Sequence, residues 1–105
     1  MTDQAQTLAA RGRAARSRRA LIRQDIASGA LSVPELLEGR VADDVEAEAL
    51  NMTVAVLVGA VPSLGPDAVD RILTGRRVGP TRRLGELTTR ARHDIAAALR
   101  KETDA

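Results

Sequence analysis

The chain has 105 residues, 44% of them hydrophobic, which is enough for one domain with a modest core. It contains no Phe, Tyr, Trp or Cys, which excludes base stacking on aromatic rings, disulfides and cysteine-ligated zinc. The formal net charge is only +2, but the charges are segregated into a basic block (11–23), an acidic block (35–48) and a second basic block (71–101).

Membrane, secretory and catalytic signals are missing from the sequence. No apolar run approaches the roughly 18 residues of a membrane span, and the N-terminus lacks the apolar core of a signal peptide. We therefore expect a cytoplasmic protein. No nucleophile is paired with a base, no nucleotide-binding fingerprint occurs, and His93 is predicted to be exposed without a partner for a metal. The sequence thus predicts neither an enzyme nor a cofactor.

The first predicted element is a long N-terminal helix. Asp3 and Gln6 have the spacing of a capping box, and the alanine-rich stretch that follows favours a helix that ends at Gly29. We expect residues 1–28 to form a basic helix or arm, and residues 29–105 to form the helical core.

The arm has few bulky apolar residues and a basic face. Leu21, Ile22 and Ile26 are predicted to anchor its distal end on the core. Three arginines at positions i, i+3 and i+7 share a neighbouring face, and these are Arg16, Arg19 and Arg23. Contact with a phosphate backbone and a merely solvated or frayed terminus are both compatible with this block.

Two short helices are predicted in the acidic block. Ser32 and Glu35 have capping-box spacing and begin a helix that ends at Gly39, whereas Asp43 and Glu46 begin another. The acidic cluster on this second helix is interpreted chiefly as a solvated face. Binding of a cation, or shielding of the basic arm when nucleic acid is absent, are the alternatives.

Residues 52–101 are predicted to form three short helices joined by two turns. The first helix is an apolar run from Val54, the second starts at Pro66 and ends at Gly75, and Thr88 caps the third. We call the break at 61–65 the first turn and the break at 76–87 the second turn. The segment from Arg71 to Lys101 contains nine basic and two acidic residues, so the expected partner is a polyanion.

Each turn offers a way to hold a phosphate. The first turn precedes a helix N-terminus, whose free N–H groups and dipole attract anions, although Pro66 removes one donor and Asp67 adds a negative charge. The second turn places adjacent arginines beside a proline, where they can bridge phosphates or enter a minor groove; scattered surface charge is the alternative. The predicted DNA-contacting residues are Pro62, Ser63, Leu64 and Gly65 in the first turn, and Arg76, Arg77, Pro80, Thr81, Arg82 and Arg83 in the second.

Three segments together resemble the actinobacterial integration host factor family. They are AARSRRALIRQDIASGALSVPELL at 14–37, the pattern M-x-V…L-V-G-A-V-P-S-L-G-x-x-A-V-x-x-I-L at 52–73, and PTRRLGEL at 80–87. The resemblance covers nearly the whole chain. It implies an all-α fold, a single compact helical domain with a long N-terminal helix and a C-terminal helix-two-turn-helix unit at about 52–101. Such a unit is also found in a small-subunit ribosomal protein and in formamidopyrimidine-type glycosylases.

The resemblance also implies a function in the nucleoid. Members of the family are nucleoid-associated proteins that bind double-stranded DNA with little sequence preference, affect DNA topology and stimulate a phage integrase. Their DNA-contacting proline and arginines are matched here by Pro62, Arg82 and Arg83. The chain departs from the family at Gly85, where relatives commonly carry a basic residue, and at Ser63 and Pro66, where lysine is frequent.

We expect a monomer that uses the turns and the arm as two DNA-binding surfaces. Two other functions remain open. An RNA- or ribosome-associated protein would use the same helical unit, and a protein-interaction module would use the acidic block and the arm.

Overall fold

Six α-helices and one short 3-10 helix account for the regular structure of residues 2–103. The computed structural model describes residues 2–103, and side chains from residue 10 onward. The helices are α1 (Thr2–Ser28), α2 (Val33–Leu37), α3 (Asp43–Ala49), α4 (Val54–Gly59), α5 (Pro66–Thr74), the 3-10 helix (Leu84–Glu86) and α6 (Thr89–Thr103). The predicted all-α fold class is therefore confirmed. None of the helices in the described residues is long and apolar enough to cross a membrane.

Local capping signals set several helix boundaries. Gly29 adopts a φ of +85° and ends α1, because this left-handed conformation suits glycine. The Ser32 hydroxyl accepts a hydrogen bond from the Glu35 N–H (3.4 Å) at the start of α2. The Thr88 hydroxyl likewise accepts one from the Ala91 N–H (3.1 Å) before α6. These three predicted boundaries are confirmed, whereas the side chains of the predicted capping box near the N-terminus lie outside the described residues.

One apolar core joins the helices. Helix α2 packs against α6, α5 packs against α4 and α6, and α1 crosses α3 and α4. Full burial of a leucine or isoleucine side chain contributes about 1.5–3 kcal/mol, so this core supplies most of the stabilisation. The largest fully buried side chains are Ile26, Val33, Leu36, Val54, Leu57, Val58, Leu84, Ile95 and Leu99.

Helix α1 contacts the core through fewer residues than predicted. Ile22 and Ile26 are buried at 6% and 1% exposure, but Leu21 is 56% exposed. The prediction that Leu21 anchors the arm was wrong. Successive helical residues are about 100° apart, so a helix that faces the core with Ile22 and Ile26, four residues apart, turns Leu21 toward solvent.

Candidate nucleic-acid interface

The first turn reverses the chain between α4 and α5. The Leu64 N–H donates to the Val61 carbonyl (3.3 Å), and the Leu64 side chain is half-buried against the core. Ser63 adopts a φ of +69°, which is uncommon for a residue other than glycine. Pro62, Ser63 and Gly65 are exposed. The turn is therefore anchored by leucine and presents its other predicted contact residues to solvent.

Helix α5 begins directly after this turn without a side-chain cap. Gly65 occupies the N-cap position, and no side chain there bonds the helix end. Pro66 is the first helical residue, and the exposed Asp67 adds a carboxylate to the first turn of the helix. Because the free N–H groups that remain lie beside a negative charge, this helix end attracts phosphate less strongly than an end without the acid.

The second turn begins with a Schellman motif at the end of α5. The Val78 N–H donates to the Leu73 carbonyl (2.9 Å), and the Arg77 N–H donates to the Thr74 carbonyl (3.0 Å). The left-handed residue of the motif is Arg77, with a φ of +58°. Gly75 caps the end of α5, as predicted, with a right-handed φ of −61°. The conformation that usually calls for glycine is therefore held by an arginine.

The middle of the second turn is a proline-containing β-turn. The Arg82 N–H donates to the Gly79 carbonyl (3.2 Å), which places Pro80 and Thr81 at the two central positions. Proline suits the first of these because its ring fixes φ near the required value. Pro80, Thr81 and Arg82 are all exposed, and the fully buried Leu84 anchors the segment that follows.

Backbone hydrogen bonds hold this segment against the start of α4. Thr53 and Arg83 form an antiparallel bridge. Three donor–acceptor pairs hold the two segments together: Val54 N–H to the Arg82 carbonyl (2.9 Å), Leu84 N–H to the Met52 carbonyl (3.0 Å) and Gly85 N–H to the Leu50 carbonyl (2.9 Å). The backbone that carries Arg82 and Arg83 is therefore fixed at several points.

The close approach of Leu50 favours glycine at position 85. A Cβ atom at Gly85 would lie 3.0 Å from the Leu50 carbonyl oxygen and 3.5 Å from the Leu50 Cβ. Both neighbours belong to the segment that is bonded to the turn, so neither can move without disturbing it. The departure from the family pattern at this position thus matches the packing of this chain.

The arginines of the second turn fall into two groups. Arg77, Arg82 and Arg83 are exposed, and none of them forms an ion pair with another residue in the described part of the chain. Their guanidinium groups are therefore available to an external anion. Such groups match phosphate geometry because they donate two parallel hydrogen bonds.

Arg76 is engaged within the protein. Its Nη1 donates to the Ile72 carbonyl (2.9 Å), and its Nε donates to the Asp94 carbonyl (3.3 Å). The guanidinium thereby satisfies a free carbonyl near the end of α5 and connects it to α6. Of the arginines predicted to contact DNA in the second turn, Arg76 is the one with a structural function inside the fold.

The structure brings the two turns to the borders of one groove. A cavity of about 410 Å³ on the surface of α4 and α5 is lined by Leu64 of the first turn, by Pro66 at the start of α5 and by Pro80 of the second turn. No sequence pattern indicated this proximity, because it depends on the packing of α4 against α5 and on the backbone bonds between the second turn and the start of α4.

The arm contacts the acidic helix α3. The Arg18 Nε lies 2.7 Å from one Glu48 carboxylate oxygen, and the Arg19 Nε lies 3.3 Å from the other. The Arg18 hydrogen bond is the main cause that lowers the pKa of Glu48 below its ordinary value. Arg16 and Arg23 are exposed. Arg18 was not singled out in the sequence, whereas Glu48 belongs to the acidic cluster for which shielding of the arm was one of the alternatives.

No family model and no curated protein sequence matches the chain. Among solved structures, the chain is similar to sIHF, in a structure of that protein bound to an 8 bp palindromic DNA. The TM-score is 0.64, and the alignment covers 88% of this chain and 96% of the sIHF chain at 23% sequence identity. The chain has the fold of sIHF. This likeness agrees with the helical fold that the resemblance to integration host factors implies.

Proposed function

We propose that the chain is a non-enzymatic DNA-binding protein of the integration host factor type, which binds duplex DNA through the phosphate backbone. The observation that carries the proposal is the pair Arg82 and Arg83. They are adjacent and exposed, their guanidinium groups form no ion pair within the described residues, and their backbone is bonded to the start of α4. The Glu86 carboxylate accepts a hydrogen bond from the backbone N–H of Arg83 (2.8 Å), not from its side chain.

Rigid presentation of these arginines favours binding to phosphates. Less conformational entropy is lost on binding when the backbone is already fixed, so more of the electrostatic attraction contributes to affinity. Arg77 extends the same basic surface from the opposite end of the second turn. Contacts to phosphates carry no sequence information, and the chain has no aromatic residue for base stacking. Little sequence preference is therefore expected.

The first turn supplies the second half of the interface. Leu64 of the first turn and Pro80 of the second turn line the same groove, so one duplex can contact both turns. Pro62, Ser63 and Gly65, which flank Leu64, are exposed. Backbone N–H groups at the start of α5 add phosphate contacts that need no basic side chain.

The cellular role follows from this mode of binding. We place the protein in the cytoplasm at the nucleoid, as a monomer whose turns and arm offer two surfaces for bending or bridging DNA. Effects on DNA topology and assistance to a phage integrase in site-specific recombination are part of the proposal. The resemblance to integration host factors and the DNA-bound state of sIHF support it.

Fluorescence anisotropy of a labelled duplex of about 20 base pairs, titrated at several salt concentrations, tests the proposal. If about six phosphates are neutralised, the slope of log K against log salt is near −5. The double variant R82A/R83A is expected to weaken binding to all sequences and to reduce the magnitude of this slope by about 2.

A matched control removes the same charge elsewhere. R40A/K101A deletes two exposed basic side chains that lie outside both turns, and it is expected to change affinity less than R82A/R83A. Equal effects of the two double variants would refute a specific site at the second turn. A structured RNA of similar length that competes as well as duplex DNA would refute DNA as the preferred ligand.

A further inference from the structure

The contact between α1 and α3 is a three-residue cluster in which one carboxylate binds two arginines. Each oxygen of Glu48 accepts from a different guanidinium, at 2.7 Å from the Arg18 Nε and 3.3 Å from the Arg19 Nε. The Glu48 side chain is only 11% exposed, whereas the Arg18 and Arg19 side chains are 59% and 43% exposed. The acid is thus covered, and the arginines that cover it remain open to solvent on their outer sides.

Two guanidinium groups that converge on two oxygens of one anion form an arrangement that also suits a phosphodiester. Carboxylate and phosphate both accept charge-assisted hydrogen bonds from arginine through a pair of oxygens. We propose that Arg18 and Arg19 form a second phosphate-binding site, which the Glu48 carboxylate fills while the protein is free of DNA. The ligand is a phosphodiester of the DNA backbone, so this inference rests on the proposed function.

The two anions compete for the same donors. A DNA phosphate reaches Arg18 and Arg19 from the solvent side, and a phosphate that binds through their Nε–H groups replaces the bonds that Glu48 makes with them. The released carboxylate would then lie unpaired and close to a phosphate. Glu48 therefore lowers the affinity of the arm for DNA, and the turns, whose arginines carry no such partner, bind first.

The substitution E48Q separates this competition from a general effect of charge. Glutamine keeps the size of the side chain and removes the negative charge. D44N is the matched control, since Asp44 lies on the same helix, is exposed and forms no ion pair within the described residues. Both variants raise the net charge by one, so nonspecific attraction to DNA rises equally in both.

We expect E48Q to bind a labelled duplex of about 20 base pairs about three- to fivefold more tightly than D44N, the range of one exposed ion pair. Its salt slope is expected to steepen by about 0.9 for each additional phosphate neutralised. Adding R18A/R19A to E48Q should abolish the gain. R82A/R83A should weaken E48Q and the unmodified protein alike and leave their ratio unchanged.

The unmodified protein provides a readout that does not depend on any variant. The NMR signals of the Arg18 and Arg19 Nε–H groups are expected to shift when duplex DNA is added. E48Q affinity equal to or below that of D44N would overturn the inference, as would Nε–H signals that do not respond to bound DNA. If the unmodified protein binds no DNA at low salt, the proposed function and this inference both fail. If it binds DNA but E48Q binds no more tightly than D44N, only this inference fails.

Discussion

Replacement of Arg77 by glycine should stabilise the protein and weaken its binding to DNA. Arg77 has a φ of +58° in the Schellman motif that ends α5. A left-handed conformation costs a residue with a Cβ about 1–2 kcal/mol, and glycine avoids this cost but loses about 0.5–1 kcal/mol through its freer unfolded chain. The net gain in the free energy of unfolding is therefore roughly 0–1.5 kcal/mol, and the middle of this range corresponds to about 4 °C in Tm for a domain of this size.

Binding should change in the opposite direction. Arg77 is exposed and has no ion-pair partner among the residues that the structure describes. Loss of one exposed phosphate contact is expected to weaken affinity about fivefold and to reduce the salt slope by about 0.9.

Thermal unfolding by circular dichroism and anisotropy with a duplex of about 20 base pairs test both effects of R77G. Two further variants separate the effect of backbone strain from the effect of the positive charge. R77K keeps the charge and the strain, so both its Tm and its affinity should stay near those of the unmodified protein. R77N removes the charge but tolerates positive φ, so it should bind weakly without losing stability. A Tm of R77G at or below the unmodified value would refute the strain argument, and unchanged affinity would refute the DNA contact.

Two other predictions concern stability. G85A should lower the free energy of unfolding by about 1–3 kcal/mol, because its Cβ would lie 3.0 Å from the Leu50 carbonyl oxygen. G79A is the control, because a Cβ at position 79 has open space around it. Equal thermal unfolding curves of the two variants would contradict the prediction. The Arg100 hydrogen bond lowers the pKa of Glu38 below its ordinary value of 4.5. The ion pair therefore stabilises the fold above pH 4.5, and this contribution is lost as pH falls through the lowered pKa. Tm should fall less steeply with acidification in E38Q, and parallel Tm profiles would contradict this.

Much of the fold was predictable because its signals are local. Gly29, Ser32 and Thr88 mark helix ends through conformations and hydrogen bonds that involve residues at most three positions away. The apolar residues Leu84 and Val78 lack helical spacing, and this irregularity correctly indicated a turn packed on the core. Capping and burial of this kind depend on a few neighbouring residues, so a single sequence without an alignment is sufficient to predict them.

The remaining features depend on segments that meet only in the folded chain. The bridge between Thr53 and Arg83 joins residues 30 positions apart, and a bridge of one pair has no sequence periodicity. Arg18 and Glu48 are also 30 positions apart, so no local sequence pattern predicts their pairing. The end of α5 at Gly75 was predicted, but no local signal indicated that Arg77, two residues later, would hold the left-handed position of the Schellman motif.

Each of the two turns holds an exposed polar residue other than glycine in a left-handed conformation. Ser63 and Arg77 are the non-glycine residues with positive φ in the described part of the chain, and each turn contains one of them. Both are exposed, so packing does not explain why a residue other than glycine holds the position. Strained residues persist where their side chains have a function, and here a hydroxyl and a guanidinium would be lost with glycine. In the arm, by contrast, Arg19 is already paired with Glu48. If the chain binds DNA as proposed, the turns make the first phosphate contacts, and the Nε–H groups of Arg18 and Arg19 become available when a DNA phosphate replaces Glu48.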